Sequence, residues 1–149
     1  MPEISLAEFA DRLNRVLPAV ISAFARRQKN ELYKGKITLP QFLILDFLSR
    51  DTETKMTQLA GMMDVTTAAM TGVIERLVRE NYVSRNFDSS DRRIIRIKIT
   101  AKGAKLVTKI NRQRREMVID IFGRISEAER RDYLKILEHI HRILLESKT

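Results

Sequence analysis

The stretch that decides the fold runs from Met56 to Thr100 and reads MTQLAGMMDVTTAAMTGVIERLVRENYVSRNFDSSDRRIIRIKIT. It begins with two short helical patterns, TQLAGMMD and TTAAMTGVIERLVREN, which are joined by a turn. A strand pattern, YVSRNF, a charged tip, DSSDRR, and a second strand pattern, IIRIKIT, follow. This order predicts a helix-turn-helix with a β-hairpin attached. Such a unit can place one helix in a DNA groove with a basic loop beside it.

The inner face of this unit can be assigned from its apolar spacing. We expect Thr57 to cap the first helix and Thr66 or Thr67 to cap the second. We expect Val65 to point into the core from the turn, where Asp64 tolerates an unusual backbone conformation. The remaining inward positions repeat at helical spacing: Leu59, Ala60, Met63, Met70, Val73, Ile74, Leu77 and Val78.

The hairpin has the clearest strand signal in the chain. Ile95, Ile97 and Ile99 alternate strictly with polar residues, which is typical of a half-buried strand. Lys55-Met56 is a candidate for a very short strand that pairs with this hairpin. At the tip, Arg92 and Arg93 could enter a minor groove or bind phosphates. We expect Asp91 to pair with Arg85 or Arg93 and so hold the tip in shape.

The outward face of the second helix is small and hydroxylic in its N-terminal half, where Thr67, Ala68, Thr71 and Gly72 fall. Small residues let a helix sit deep in the major groove, and threonine can contact base edges. Gly72 costs about 1 kcal/mol relative to alanine inside a helix, and a close approach of the helix backbone to its partner would explain it. The alternative is an ordinary surface face.

Positive charge is concentrated in one segment. Residues 76–115 contain thirteen Lys and Arg against three Asp and Glu, giving +10, whereas residues 1–75 carry 0 and residues 116–149 carry −1. A solvated basic face would explain such a block. Beside a helix-turn-helix pattern, nucleic acid, and double-stranded DNA in particular, is the favoured partner.

Several other classes of protein are disfavoured by composition. The chain has no Cys and two His, which excludes disulfides, thiolate zinc sites and thiol redox sensing. No apolar run approaches the roughly 18 residues of a membrane span, and the acidic N-terminus does not resemble a signal peptide, so a cytoplasmic location is expected. We find no nucleophile–base pair, glycine-rich phosphate loop or metal-ligand cluster, so neither an enzyme nor a cofactor is predicted.

The two ends of the chain carry helices with broad apolar stripes. Capping-box spacing occurs at Ser5-Glu8, Thr38-Gln41 and Ser126-Glu129. A small winged unit cannot bury both terminal helices, so we expect a homodimer that buries them against a second copy. Two-fold symmetry would set two reading helices roughly 34 Å apart on a pseudo-palindromic site.

The chain resembles the MarR family of winged helix-turn-helix regulators over nearly its whole length. The most specific part is the wing, from Val83 to Arg93, followed by Ile99-Thr100-Ala101-Lys102-Gly103. The family pattern has an Arg after the strand start, Asp-Arg-Arg at the tip, and Leu/Ile-Thr-x-x-Gly where the next helix begins. Asn81 stands where the family usually has Gly, and Asn is the next best residue at a positive φ.

The resemblance implies a mainly α fold: a winged helix-turn-helix with a small antiparallel β-hairpin wing and a helical dimerisation region built from both termini. Within the single domain 1–149, the winged-helix DNA-binding region would span residues 38–100, and the dimerisation region would comprise residues 1–34 and 101–149. The family consists of dimers that bind palindromic operators, usually as repressors, and often release DNA when a small aromatic or anionic effector binds.

Site residues follow from the same resemblance. The major groove would be faced by Thr66, Thr67, Ala68, Thr71 and Arg76, with Gly72 in close approach. Arg92 and Arg93 would reach the minor groove, with Asp91 and Arg85 bracing the wing. Phe24, Phe42 and the long helix could line an effector pocket. Alternatively, both rings are ordinary core residues. The alternative function is a non-specific architectural nucleic-acid-binding protein that uses the same basic surface.

Overall fold

The fold was obtained as a computed structural model that describes residues 4–27, 34, 36–51 and 53–146. These residues form six helices and three short strands. The helices are α1 Leu6–Arg27, α2 Leu39–Asp51, α3 Met56–Met62, α4 Thr67–Arg79, α5 Ala101–Phe122 and α6 Glu127–Glu146, and the strands are β1 Glu53–Lys55, β2 Val83–Phe87 and β3 Ile95–Ile99. The mainly α winged helix-turn-helix predicted from the sequence is confirmed.

The three strands form one antiparallel sheet in the order β1-β3-β2. The hairpin register pairs Val83 with Ile99 and Phe87 with Ile95. Strand β1 pairs with β3 on its other edge, as expected, but it ends at Lys55 because Met56 already begins α3. In β3, Ile97 is fully buried and Lys98 is exposed, as the predicted alternation requires, but Arg96 is half-buried like Ile95 and Ile99 because it pairs with Asp88.

One apolar core holds the helix-turn-helix and the sheet together. Helix α2, whose residues 42–48 are apolar except for Asp46, lies at its centre, with Phe42, Leu45 and Leu48 at most 1% exposed. The first half of α5 also contributes to this core. The core of the winged-helix region therefore continues beyond residue 100, where the predicted DNA-binding region ended. The core residues are Ile37, Phe42, Ile44, Leu45, Leu48, Met56, Leu59, Ala60, Met70, Ile74, Leu77, Val83, Ile97, Leu106, Val107 and Ile110.

Helix starts follow the capping signals, with one exception. The Thr38 amide donates to Gln41 Oε1 at 2.9 Å, and the Gln41 amide donates to Thr38 Oγ1 at 3.4 Å, which is a reciprocal capping box. Ser126 and Glu129 form the same arrangement before α6. The Ser126 hydroxyl and the Ser126 amide both donate to Glu129 Oε2 at 2.7 Å, and these two hydrogen bonds lower the pKa of Glu129. The prediction that Thr57 caps α3 is wrong. Strand β1 leads directly into α3, so Lys55 takes the N-cap position without a side-chain cap.

Two turns adopt the left-handed backbone that their residues suggested. Asp64 has φ 54° and Asn81 has φ 59°, a region that Asp and Asn tolerate better than most residues. The expectation that Val65 points inward is wrong, because its side chain is 43% exposed. It follows the left-handed Asp64, and the buried Ala60 and Met70 already occupy the core at this turn.

The chain divides into two compact units, Met1–Gln113 and Arg114–Thr149. Within the first unit, the Asn111 side chain donates to Asp46 Oδ1 at 2.9 Å and ties α5 to α2. Within the second, the rings of Phe122 and Tyr133 pack with centroids 5.3 Å apart. Among the described residues, no helix is long and apolar enough to cross a membrane.

Candidate nucleic-acid interface

The start of α4 is fixed by a side-chain cap. Thr66 is the N-cap residue, and its Oγ1 accepts a hydrogen bond from the Ala69 amide at 3.1 Å. The buried Met70, Ile74 and Leu77 hold the opposite face of the helix in the core. The cap and the core contacts therefore set both the starting point and the rotation of α4.

The predicted reading residues lie together on the free face of α4. Thr67, Ala68, Gly72 and Arg76 are exposed, and Thr71 is half-buried. The Thr71 hydroxyl donates to the Thr67 carbonyl at 2.9 Å. Because its hydrogen is used in this bond, the Thr71 side chain can offer a partner only its oxygen lone pairs and its methyl group. Apart from its chain neighbours and the adjoining backbone of α4 itself, no atom of the described residues lies within 4 Å of a Cβ built on Gly72. The glycine is therefore not explained by packing within the described part of the chain.

The wing tip is held by a buried carboxylate that the sequence reasoning missed. Asp88 is 7% exposed. Its Oδ1 accepts from the Ser90 amide at 2.9 Å and from the Ser90 hydroxyl at 2.6 Å, while its Oδ2 accepts from Arg96 Nε. The Ser90 hydrogen bonds, followed by that from Arg96, hold the pKa of Asp88 far below its usual range, and Asp88 raises the pKa of Arg96. The spacing Asp88-Ser89-Ser90 was a sequence signal for such an Asx-turn.

The carboxylate expected at the tip, Asp91, has a smaller role. Its Oδ1 accepts from the Arg93 amide at 2.9 Å and lies 3.5 Å from Arg93 Nε. Of the two expected partners, Arg93 is therefore the one observed. The Arg93 side chain remains 95% exposed, and Arg92 is exposed as well, so the tip presents two guanidinium groups on a braced turn. Arg85, in the middle of β2, is a third exposed arginine of the wing.

The base of the wing explains the Thr-x-x-Gly motif. Thr100 Oγ1 donates to the carbonyl of Asn81 at 2.7 Å, and the Thr100 amide donates to the Tyr82 carbonyl at 3.0 Å. The Gly103 amide then donates to Thr100 Oγ1 at 3.1 Å. Lys102 Nζ donates to the Glu80 carbonyl at 2.7 Å and lies 4.7 Å from the Tyr82 ring centroid. These contacts attach α5 to the end of α4 and to the first wing strand.

A groove of about 240 Å³ lies between the reading helix and the wing. Thr67 lines it from the start of α4, and Arg93 and Ile95 line it from the hairpin. Lys55 contributes from the end of β1 and Thr57 from the start of α3. Apolar side chains, those of Met56, Ile94 and Ile95, line the groove together with these cationic and hydroxyl groups.

The two phenylalanines considered for an effector pocket differ in burial. Phe42 is 1% exposed and belongs to the apolar core, whereas Phe24 is half-buried. Phe42 could contact a ligand only if the core opened.

Comparison with known proteins identifies the architecture. The model of the MarR family matches residues 37–95. The HTH-type transcriptional regulator YpoP of Bacillus subtilis is 32% identical over 104 residues, which cover 70% of this chain and 74% of that protein. The HTH-type transcriptional repressor YetL of the same organism is 28% identical over 134 residues, or 90% of this chain and 75% of that protein.

Solved structures agree with this match. A MepR-like protein complexed with pseudoligands is 28% identical with a TM-score of 0.60, and the match covers 90% of this chain and 94% of that one. Streptococcus pneumoniae FabT in complex with DNA shares the fold, with 20% identity, a TM-score of 0.76 and coverage of 95% and 99%. Identity to YpoP over more than two thirds of each chain, together with this fold, shows that the chain belongs to the MarR family of DNA-binding winged helix-turn-helix transcriptional regulators.

Proposed function

We propose that the protein is a dimeric repressor that binds a pseudo-palindromic operator and releases it when a small molecule binds. The observation that carries this proposal is that one compact unit presents two different surfaces side by side. The start of α4 presents small hydroxylic residues with little charge, and the neighbouring wing presents three exposed arginines. The first surface suits base edges and the second suits phosphates and the minor groove.

Within this proposal, the N-terminal half of α4 reads sequence. Thr67, Ala68 and Thr71 face the major groove, where the lone pairs of Thr71 can accept from a base amine and its methyl group can contact a thymine methyl. Thr66 acts mainly as the cap, because its Oγ1 is already bonded to the Ala69 amide. Gly72 allows the helix backbone to approach the groove closely, and Arg76 binds phosphate near its rim.

The wing provides most of the binding energy that is independent of sequence. Arg92 and Arg93 reach the minor groove or its phosphates, and Arg85 contacts the backbone nearby. Asp91 orients Arg93, and the buried Asp88 keeps the turn in one shape. A braced tip loses little conformational entropy on binding, so more of its interaction energy appears as affinity.

The dimer is supported by apolar surface on both terminal helices. None of the described residues of α1 or α6 is buried. Each helix instead exposes large apolar side chains at helical spacing. In α1 they are 42–83% exposed: Leu6, Phe9, Leu13, Val16, Leu17, Val20 and Ile21. In α6 they are 43–62% exposed: Tyr133, Leu134, Ile136, Leu137, Ile140, Ile143, Leu144 and Leu145. Burying such stripes against a second copy is the simplest way to remove them from water.

The last element of the proposal is release of DNA by a small aromatic or anionic effector. It is motivated by the relative that was solved with pseudoligands. Phe24 remains a candidate contact because it is half-buried, whereas Phe42 would take part only after a rearrangement of the core.

Selection of bound sequences from random duplex tests the proposal. We expect a pseudo-palindrome with half-sites roughly 10 base pairs apart, centre to centre. Two protomers should bind each duplex in sedimentation experiments, with a preference over scrambled duplex of about 10³-fold or more at physiological salt. Equal binding to every duplex would instead support the non-specific architectural protein. Repeating the titration with candidate aromatic acids tests release.

A further inference from the structure

The wing carries an aromatic side chain that the predicted site did not include. Phe87 is the last residue of β2 and is 66% exposed. It shares one face of the sheet with Val83, four residues earlier, which is 2% exposed in the core. The strand therefore begins inside the protein and ends with a phenyl ring in solvent.

The ring lies on the face of the wing that adjoins the reading helix. Phe87 is paired across the hairpin with Ile95, and directly opposed residues project from the same face of the sheet. Ile95 lines the groove to which Thr67 contributes from the start of α4. Phe87 also borders an open hollow at the tip together with Ser89 and Arg92. Phe87 is therefore the cross-strand partner of a groove residue and shares a hollow with an exposed guanidinium group.

The backbone beneath the ring is fixed. The next residue, Asp88, is buried, its amide donates to the Ile94 carbonyl at 2.9 Å, and its carboxylate is held by Ser90 and Arg96. Exposure of a large apolar side chain to water is unfavourable. Because the backbone beneath Phe87 is already fixed, the side chain would lose little conformational entropy on binding a partner.

We propose that Phe87 is a DNA contact that packs its ring against the sugar and base edges of the minor groove beside Arg92. This inference rests on the proposed function and adds an apolar anchor to it. Apolar side chains on minor-groove elements are known to press against or between base steps. The charge of the surroundings favours DNA over a protein partner, because Arg85, Arg92 and Arg93 would all be drawn to a polyanion.

The proposal predicts a signature that differs from that of the arginines. With the selected operator, Phe87→Ala should weaken binding by about tenfold, equivalent to about 1.4 kcal/mol, and leave the dependence of affinity on salt unchanged. An apolar contact releases no counterions, whereas loss of Arg92 should lower the salt slope. Phe87→Leu, which retains an apolar side chain, should recover part of the affinity. Leu39→Ala removes another exposed apolar side chain, 55% exposed at the start of α2, and is the control.

A fluorescent reporter tests the location of the ring directly. The chain contains no Trp and three Tyr, so Phe87→Trp creates one tryptophan per protomer, which is excited selectively at wavelengths that Tyr does not absorb. We expect its emission to change when operator is added, in step with the anisotropy of the labelled duplex. Unchanged emission on a duplex that is demonstrably bound, or an unchanged affinity for Phe87→Ala, would overturn the proposal.

Two further outcomes separate this inference from others. If Phe87→Ala alters the sedimentation of the free protein but not its affinity for DNA, the ring is a protein contact and the proposal is wrong. Titrating scrambled duplex in parallel separates the inference from the proposed function. Equal binding of wild type to both duplexes refutes operator recognition, while an effect of Phe87→Ala on both would still establish the contact.

Discussion

The attachment of the wing to α5 depends on one glycine, and replacing it should be costly. A Cβ added to Gly103 would lie 2.2 Å from the Tyr82 carbonyl oxygen and 2.9 Å from Ile99 Cγ1. The side chain of Ile99 could adjust, but the carbonyl is backbone. It already accepts a hydrogen bond from the Thr100 amide at 3.0 Å. Gly103→Ala must therefore displace α5 or break this bond.

The size of the effect follows from those contacts. Overpacking a well-packed site costs about 1–3 kcal/mol, and each hydrogen bond lost adds about 1 kcal/mol. A total of about 3 kcal/mol should lower Tm by roughly 6–12 °C in a domain of this size. DNA binding should weaken as well, because α5 and the first wing strand meet at this point.

Thermal and urea unfolding at one fixed protein concentration measure the change. Gly61→Ala is a matched control, since no atom of the described residues lies within 4 Å of a Cβ at that position in α3. It should leave stability unchanged or raise it slightly, because alanine is the better helix former. A Gly103→Ala protein as stable as wild type would refute the packing at the base of the wing.

Three further changes test other features of the site. Gly72→Ala should raise the free energy of unfolding by about 1 kcal/mol yet weaken operator binding, and undiminished binding would contradict a close approach of α4 to DNA. Arg92→Ala should weaken binding to operator and scrambled duplex alike and lower the salt slope by about one per bound protomer, whereas an unchanged slope would remove Arg92 from the interface. Asp88→Asn should be less stable than wild type at neutral pH. Because folding lowers the pKa of Asp88, that stability difference should persist down to about pH 4 and shrink as the pH falls further, and a difference independent of pH would contradict the brace.

Local signals in the sequence were sufficient to predict the elements of the fold. The spacing of apolar residues identified the buried faces of α4 and β3. In an element that is long enough, apolar residues at helical spacing indicate an amphipathic helix, and apolar residues at every second position indicate a half-buried strand. Asp64 was recognised as a position with an unusual backbone from its residue type and its place in the turn, and Asn81 because it stands where the family usually has Gly. Both have positive φ. Thr38 and Ser126 were identified as helix caps by their spacing to Gln41 and Glu129.

Features that depend on register were not accessible in this way. The pairing of Asp88 with Arg96 spans eight residues and exists because the hairpin brings the end of β2 beside the start of β3. Without the register, Asp91 appeared to be the better candidate for the brace because it adjoins two arginines. The exposure of Phe87 and Val65 likewise reflects where the core ends, which hydrophobic character alone does not indicate.

The assignment of roles within the interface is the central claim, and one residue tests it most directly. Selections from random duplex should be run side by side with wild type and Thr71→Ala. If the start of α4 reads sequence, the variant should lose preference at one position, repeated symmetrically in the two half-sites, and keep the wild-type preference elsewhere. An identical consensus with a uniform loss of affinity would contradict the claim that α4 specifies the operator while the wing secures the backbone.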